Sequence, residues 1–230
     1  MWNKSYCLYC ELPLEEETTW KSLFLGDEKK NEFCTECLMK LQAIEGKRCK
    51  ICSRPQDEEG ICRDCQRWEE DPAWQGVLSR NLSLYTYNEF LKELMARYKY
   101  RGDYILIFGF KKQLKKILAE VTFDLAVPIP LSKERLFERG FNQSEAGLAA
   151  MDLRPIYALK RKHSEKQSKK SREERIHLEE VFLPTEEDIS GKNILLFDDI
   201  YTTGSTLRHA GRVLKESGAL QISSITIARS

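Results

Sequence analysis

The chain has 230 residues, with 37 Lys and Arg against 36 Asp and Glu, a formal net charge of +1, and 41% apolar and 32% charged residues. That balance excludes a disordered polyelectrolyte, and 12 Gly with 7 Pro exclude a collagen-like chain. A net charge near zero also excludes a globally basic nucleic-acid binder, which confines any attraction to phosphate to local patches.

All eight cysteines fall within the first 65 residues, as four Cys-x-x-Cys pairs: Cys7/Cys10, Cys34/Cys37, Cys49/Cys52 and Cys62/Cys65. Two residues between thiolates let both sulfurs reach one tetrahedral ion, and a closed structural zinc site takes four such ligands. The pattern therefore predicts two Zn²⁺ sites. Sequential pairing is the simplest arrangement; a crossed pairing of first with third and second with fourth pairs fits the spacing equally. A disulfide framework is the competing reading. It is set aside because Met1 to Cys7 carries no apolar leader, so the chain is expected to be cytoplasmic, where thiols stay reduced. Residues 1–75 hold 11 Lys and Arg against 16 Asp and Glu, which suits a protein-contact module better than a nucleic-acid finger. The composition shift places a zinc-binding domain at 1–75 and a second domain at 76–230.

Pro72 and Gly76 break periodicity between the two. Leu82, Leu84 and Thr86 alternate as in a half-buried strand, and Asn88 is placed to cap a helix through Tyr98. A second helix is expected from Asp103 to Glu120, with Ile105 and Phe108 turned inward. Its longest apolar run, Tyr104 to Phe110, is far shorter than the ~20 residues of a spanning helix, so no membrane insertion is expected. Asp124 to Leu131 reads as a buried strand feeding a loop. A helix is expected from Asn142 to Met151, and short strands at Ile156–Leu159 and Val181–Leu183. Asn193–Phe197 reads as a buried strand, 198–206 as a polar turn, Leu207–Ser217 as an amphipathic helix stopped by Gly218, and Ile222–Ile227 as a closing strand. Strands alternating with helices imply a parallel α/β sheet.

The 194–206 segment, Ile-Leu-Leu-Phe-Asp-Asp-Ile-Tyr-Thr-Thr-Gly-Ser-Thr, has the makings of a phosphate cradle. Gly204 permits close backbone approach, while Thr202, Thr203, Ser205 and Thr206 supply amides and hydroxyls at the positive end of the following helix. Asp198 and Asp199 repel phosphate but suit sugar hydroxyls or a divalent cation. Together they fit a ribose 5-phosphate.

This segment resembles the phosphoribosyl pyrophosphate (PRPP) motif of type I phosphoribosyltransferases. Val127-Pro-Ile-Pro-Leu-Ser-Lys-Glu-Arg-Leu-Phe-Glu-Arg-Gly-Phe-Asn-Gln143 and Tyr98-Lys-Tyr-Arg-Gly-Asp103, with the cysteine module ahead of them, resemble the ComF/GntX family, and within it the competence proteins of the ComFC type. The resemblance spans the whole chain. It implies a type I phosphoribosyltransferase-like parallel sheet flanked by helices, preceded by a small four-cysteine zinc-binding domain. It also implies a role in uptake of single-stranded DNA during natural transformation, beside a competence helicase-like translocase. A phosphoribosyltransferase using PRPP with Mg²⁺ in cytosolic metabolism is the alternative. Carried over by position, Asp198 and Asp199 hold the ribose and serve catalysis, and Leu131, Ser132 and Lys133 present amides to the diphosphate. Arg135 and Arg139 add charge there, and Arg161 and Arg172 belong to a basic hood at 160–175. Ser164 stands where the family has Thr, and His177 where it has Asn.

Residues 97–116 carry seven Lys and Arg against Asp103 alone, interleaved with Tyr98, Tyr100, Tyr104 and Phe108. Cations beside aromatics suit a single strand. Lys99, Arg101, Lys111, Lys112, Lys115 and Lys116 are thus the expected DNA contacts; ordinary helix packing is the plainer explanation of the same pattern. His163, His177 and His209 do not cluster in sequence and read as surface or helix residues.

Overall fold

The computed structural model describes residues 5–14, 32–162 and 181–230. Its central sheet runs in the order β1 (Arg80–Thr86), β6 (Gln221–Arg229), β5 (Asn193–Tyr201), β2 (Leu125–Pro128), with every neighbouring pair parallel. The helices are α1 (Thr35–Met39), α2 (Arg63–Glu70), α3 (Glu89–Tyr100), α4 (Lys111–Leu118), α5 (Lys133–Arg139), α6 (Gln143–Ala150) and α7 (Ser205–Glu216). A short antiparallel pair, β3 (Leu159–Arg161) and β4 (Phe182–Pro184), stands apart from the main sheet. This is the expected parallel sheet flanked by helices, with the cysteine region ahead of it.

Both sheet faces are covered, which is why β5 reads as an unbroken apolar run. Leu195 and Phe197 join Ile225 and Ile227 under α3, α4 and α6. Ile194 and Leu196 face the other way, with Val127 and Ile222, under α7 through Leu207, Ala210 and Leu214. Two helix starts behave as the sequence predicts. The Asn88 side chain accepts from the Leu91 amide, and the Asn142 side chain accepts from the amides of Ser144 and Glu145.

Four expectations need correction. The short strand expected at 156–159 starts only at its last residue and runs Leu159–Arg161. The helix expected from Asp103 to Glu120 is broken: Tyr104–Phe110 is a 3₁₀ helix, and α4 starts only at Lys111. A side chain on Gly109 would lie 2.4 Å from the Phe33 ring, so a contact from far along the chain fixes the path there. Ile105 is 44% exposed rather than buried, while Leu106, Ile107 and Phe110 fill the core. β1 is not half-buried, because its residues 81–85 are all enclosed. The cysteine region covers its outer edge: the amides of Ile44 and Thr86 donate to the carbonyls of Leu84 and Gln42, and the Asn81 amide to that of Ile51. That cover removes an open sheet edge. Finally, β5 continues four residues past Phe197, so the expected polar turn begins as strand.

The cysteine groups belong to the same two cores. Cys7 and Cys37 lie in the core under α3, and Cys49, Cys52, Cys62 and Cys65 lie in the core under α7. Among the described residues no helix is long and apolar enough to cross a membrane.

Candidate functional site

The site forms where β5 leaves the sheet at its carboxyl end, the usual ligand position of an open parallel sheet. β5 carries Asp198 and Asp199 and ends at Tyr201. The chain then turns at Gly204, whose φ of +77° is left-handed, and enters the twelve-residue helix α7. Gly204 is required there on two counts. A Cβ would be strained at that φ, and it would lie 2.2 Å from the Tyr201 hydroxyl and 2.6 Å from Arg208 Nη1.

A cavity of about 470 Å³ opens over this turn. Asp198, Asp199, Thr202, Ser205 and Thr206 line it together with Arg135, Arg139 and Arg161. The loop also holds Thr203 and Gly204. Lys133 is exposed on the first turn of α5 and does not line the cavity. The segment after Pro130 is a loop for only two residues before α5 begins, and the Ser132 side chain accepts from the Arg135 amide. Arg139 donates to the Gln143 side chain at 2.6 Å. Arg172 and the rest of the expected hood at 163–175, like Ser164 and His177, lie outside the described residues.

Two adjacent carboxylates in a cavity that arginines also line make an uneven field. Burial, and then the neighbouring Asp199 charge, push the Asp198 carboxyl up to about 7, against the weaker opposite pull of Lys99 and Arg139. The Asp199 amide donates to Asp198 Oδ1 at 2.9 Å. Asp199 is itself buried and paired with Lys99 Nζ at 2.9 Å. Lys99 reaches this position from the end of α3. Its place in a basic run had assigned it to a DNA track; its only sequence signal for the site is membership of the Tyr98–Asp103 motif. His209 also lines the cavity, half-buried against Trp74, and burial followed by Arg212 holds it below the usual histidine value.

The remaining cations of the expected DNA track are elsewhere. Arg101, Lys112 and Lys116 are exposed, while Lys111 and Lys115 both pair with Asp152. Of the interleaved aromatics, Tyr98 is a core residue whose hydroxyl donates to the Gln143 carbonyl, and Tyr100 is 71% exposed.

The cysteines gather as two sets of four, Cys7, Cys10, Cys34, Cys37 and Cys49, Cys52, Cys62, Cys65, with the sulfurs of each set within 4.8 Å of one another. The grouping is the sequential one. Zinc bonded to sulfur at ~2.3 Å gives a tetrahedron with edges of about 3.8 Å. The Cys10–Cys34 and Cys52–Cys62 sulfurs, each 3.6 Å apart, match that edge. In each set a backbone amide also donates to a sulfur, Cys34 to Cys7 and Cys62 to Cys49, both at 3.2 Å, as thiolate ligands require. The donor sets fit a closed, structural metal site such as zinc.

Comparison with known proteins agrees with this geometry. The model of the phosphoribosyl transferase domain matches residues 146–230, from α6 through α7 to β6. Competence protein ComFC of Bacillus subtilis (strain 168) is 42% identical over 234 residues, covering 99% of this chain and 96% of that protein. Competence protein ComFC of Streptococcus pneumoniae (strain ATCC BAA-255 / R6) is 31% identical over 223 residues, covering 97% of this chain and 99% of that protein. A ribose-phosphate pyrophosphokinase of Pyrococcus abyssi (strain GE5 / Orsay) is 46% identical over 50 residues, 21% of this chain and 18% of that protein.

Proposed function

The chain belongs to the ComFC family of competence proteins and has a phosphoribosyltransferase-like fold, and from that premise we propose that it binds PRPP with Mg²⁺ while acting in uptake of single-stranded DNA. One observation carries the ligand reading. A single cavity is lined by two carboxylates, Asp198 and Asp199, by Thr202, Ser205 and Thr206 around the Gly204 turn at a helix N-terminus, and by three arginines. PRPP has a matching sequence of groups. Its 5-phosphate suits the amides and hydroxyls of 202–206 and the positive end of α7. Its ribose hydroxyls suit the two carboxylates. Its diphosphate suits Arg135, Arg139 and Arg161, whose forked guanidiniums grip phosphate oxygens. Lys133 stays assigned to the rim and Arg172 to the hood. Magnesium chelated by the diphosphate supplies charge neutralisation when bound. Asp199 exchanges its Lys99 partner for ligand hydroxyls, leaving the lysine ammonium close to the bound sugar.

For the single strand, the exposed cations Arg101, Lys112 and Lys116 are the proposed contacts, with the exposed Tyr100 offering a ring to stack on and with Lys111 and Lys115, now paired with Asp152, in addition. A helicase-like translocase is the proposed protein partner, and the cytoplasm the proposed compartment. Turnover as a phosphoribosyltransferase is the second reading, favoured by the intact acidic pair in a cavity that three arginines also line.

Calorimetric titration of PRPP with Mg²⁺ tests the ligand. Wild-type protein is expected to bind and the double variant Asp198→Asn, Asp199→Asn is not. Equal affinity in both refutes the placement of the ribose. Repeating the titration with single-stranded DNA present tests coupling: a shifted affinity ties the site to DNA handling, and an unshifted one favours a separate reaction.

A further inference from the structure

The loop over which the phosphate is proposed to sit has its three preceding carbonyls held from below. Arg229 Nη1 donates to the Tyr201 and Thr202 carbonyls at 3.2 and 2.9 Å. Trp68 Nε1 donates to the Thr203 carbonyl at 3.1 Å. Arg208 Nη1 donates to the Tyr201 hydroxyl at 2.5 Å, in the space that Gly204 leaves open.

Each of these three side chains leads to one cysteine group. Trp68 sits on α2, one turn beyond Cys65. Arg208 Nη2 lies 3.9 Å from Cys65 Sγ and its guanidinium stacks on the Trp68 ring. Arg229 Nε lies 3.5 Å from Cys52 Sγ. Both arginines are buried, Arg208 completely, and a buried guanidinium needs a compensating charge. Glu69 offers only a 3.9 Å approach to Arg208. Four thiolates around a divalent cation carry a net charge of −2, which two guanidiniums balance. The other cysteine group has no such link among the described residues: it meets α3 instead, through Tyr9 against Phe90 and Arg97.

We infer that the metal centre at Cys49, Cys52, Cys62 and Cys65 sets the shape of the 201–206 loop, with Trp68, Arg208 and Arg229 as the positioning residues. The Cys7, Cys10, Cys34, Cys37 centre has no such role. The inference rests on the phosphate reading of this loop for its functional meaning, but the brace is a property of the ligand-free protein and is measured there.

Hydrogen exchange on the full-length, zinc-loaded protein decides it. Trp68→Phe keeps the ring and removes only the donor to Thr203. That variant is expected to retain wild-type zinc content and to exchange about two- to tenfold faster across 201–208, the range for one lost hydrogen bond, with residues 32–44 unchanged. Arg229→Met is expected to release zinc faster to a zinc-selective chelator, with alkylation mapping the freed thiols to Cys49, Cys52, Cys62 and Cys65. Unchanged loop exchange in Trp68→Phe, together with an unchanged loop in wild-type protein stripped of that zinc, overturns the inference. PRPP titration separates the two ideas. Wild-type protein that fails to bind refutes the ligand reading, while the exchange data still decide the brace. Where wild type binds, Trp68→Phe is expected to weaken affinity by a similar factor.

Discussion

Gly204→Ala is the sharpest local test of how tightly this loop is built. An alanine at φ +77° costs ~1–2 kcal/mol in backbone energy. Its Cβ would also lie 2.2 Å from the Tyr201 hydroxyl and 2.6 Å from Arg208 Nη1. Those groups are buried, so they have little room to give, and overpacking of this kind costs a further ~1–3 kcal/mol. Gly140→Ala is the matched control. Its φ of +76° carries the same backbone term, and nothing lies within 4 Å of the added methyl. At about 2–4 °C per kcal/mol for a chain of this size, Gly140→Ala is expected to lower Tm by ~2–8 °C and Gly204→Ala by about 4–20 °C. Scanning calorimetry of the two variants beside wild type reads the difference directly. Equal losses would mean that Tyr201 and Arg208 move aside freely, and the argument for a rigid, braced loop would fail.

Asp198→Asn is expected to raise Tm in a pH-dependent way. The carboxyl is near 7 in the folded chain against ~3.9 unfolded, so the folded state holds the extra proton. Wild-type stability from this group is full below about pH 4 and is lost as pH rises through 7. The gain of the Asn variant should be near zero at pH 4, grow through 7 and then level off; a gain constant across pH would refute the shifted carboxyl. Metal analysis is expected to give about two zinc ions per chain, one per sulfur set. A value of one would mean that one set is not a site. Lys112→Glu with Lys116→Glu is expected to weaken single-strand binding and to flatten the slope of log affinity against log salt by roughly 1.4, two phosphate contacts' worth. An unchanged slope removes α4 from the DNA track.

Much of this architecture was legible where the cause is local. The 194–206 segment announces the order of strand, turn and helix, though not their bounds, because each part needs particular residue types within a few positions. The Cys-x-x-Cys pairs are equally plain, and Asn88 and Asn142 cap the helices that follow them. What escaped the sequence depends on distant partners. Gly109 lies against the ring of Phe33, a contact that no local pattern reveals. The outer edge of β1 is covered because residues 42–44 and Ile51, from the cysteine region, hydrogen-bond along it. Lys99 belongs to the cavity because α3 ends beside Asp199, 100 residues away in sequence. Nothing near Arg208 or Arg229 in sequence shows that a cluster of cysteines lies beside them.

The two cysteine groups, alike in sequence, therefore relate to the cavity in different ways. The Cys49–Cys65 group reaches the 201–204 turn through buried guanidiniums and an indole donor. The Cys7–Cys37 group packs against α3, where Tyr9 meets Phe90 and accepts at its carbonyl from Arg97 at 2.8 Å. Two residues beyond Arg97, Lys99 is the counterion of Asp199. One group thus bears on the backbone that would hold a phosphate, and the other on the helix that carries the cation a sugar would displace. A composition boundary at residue 75 hides this, because the acidic, cysteine-rich segment reaches the 201–204 turn through Trp68 and α3 through Tyr9. Each face of the sheet thus packs against one of the two cysteine groups.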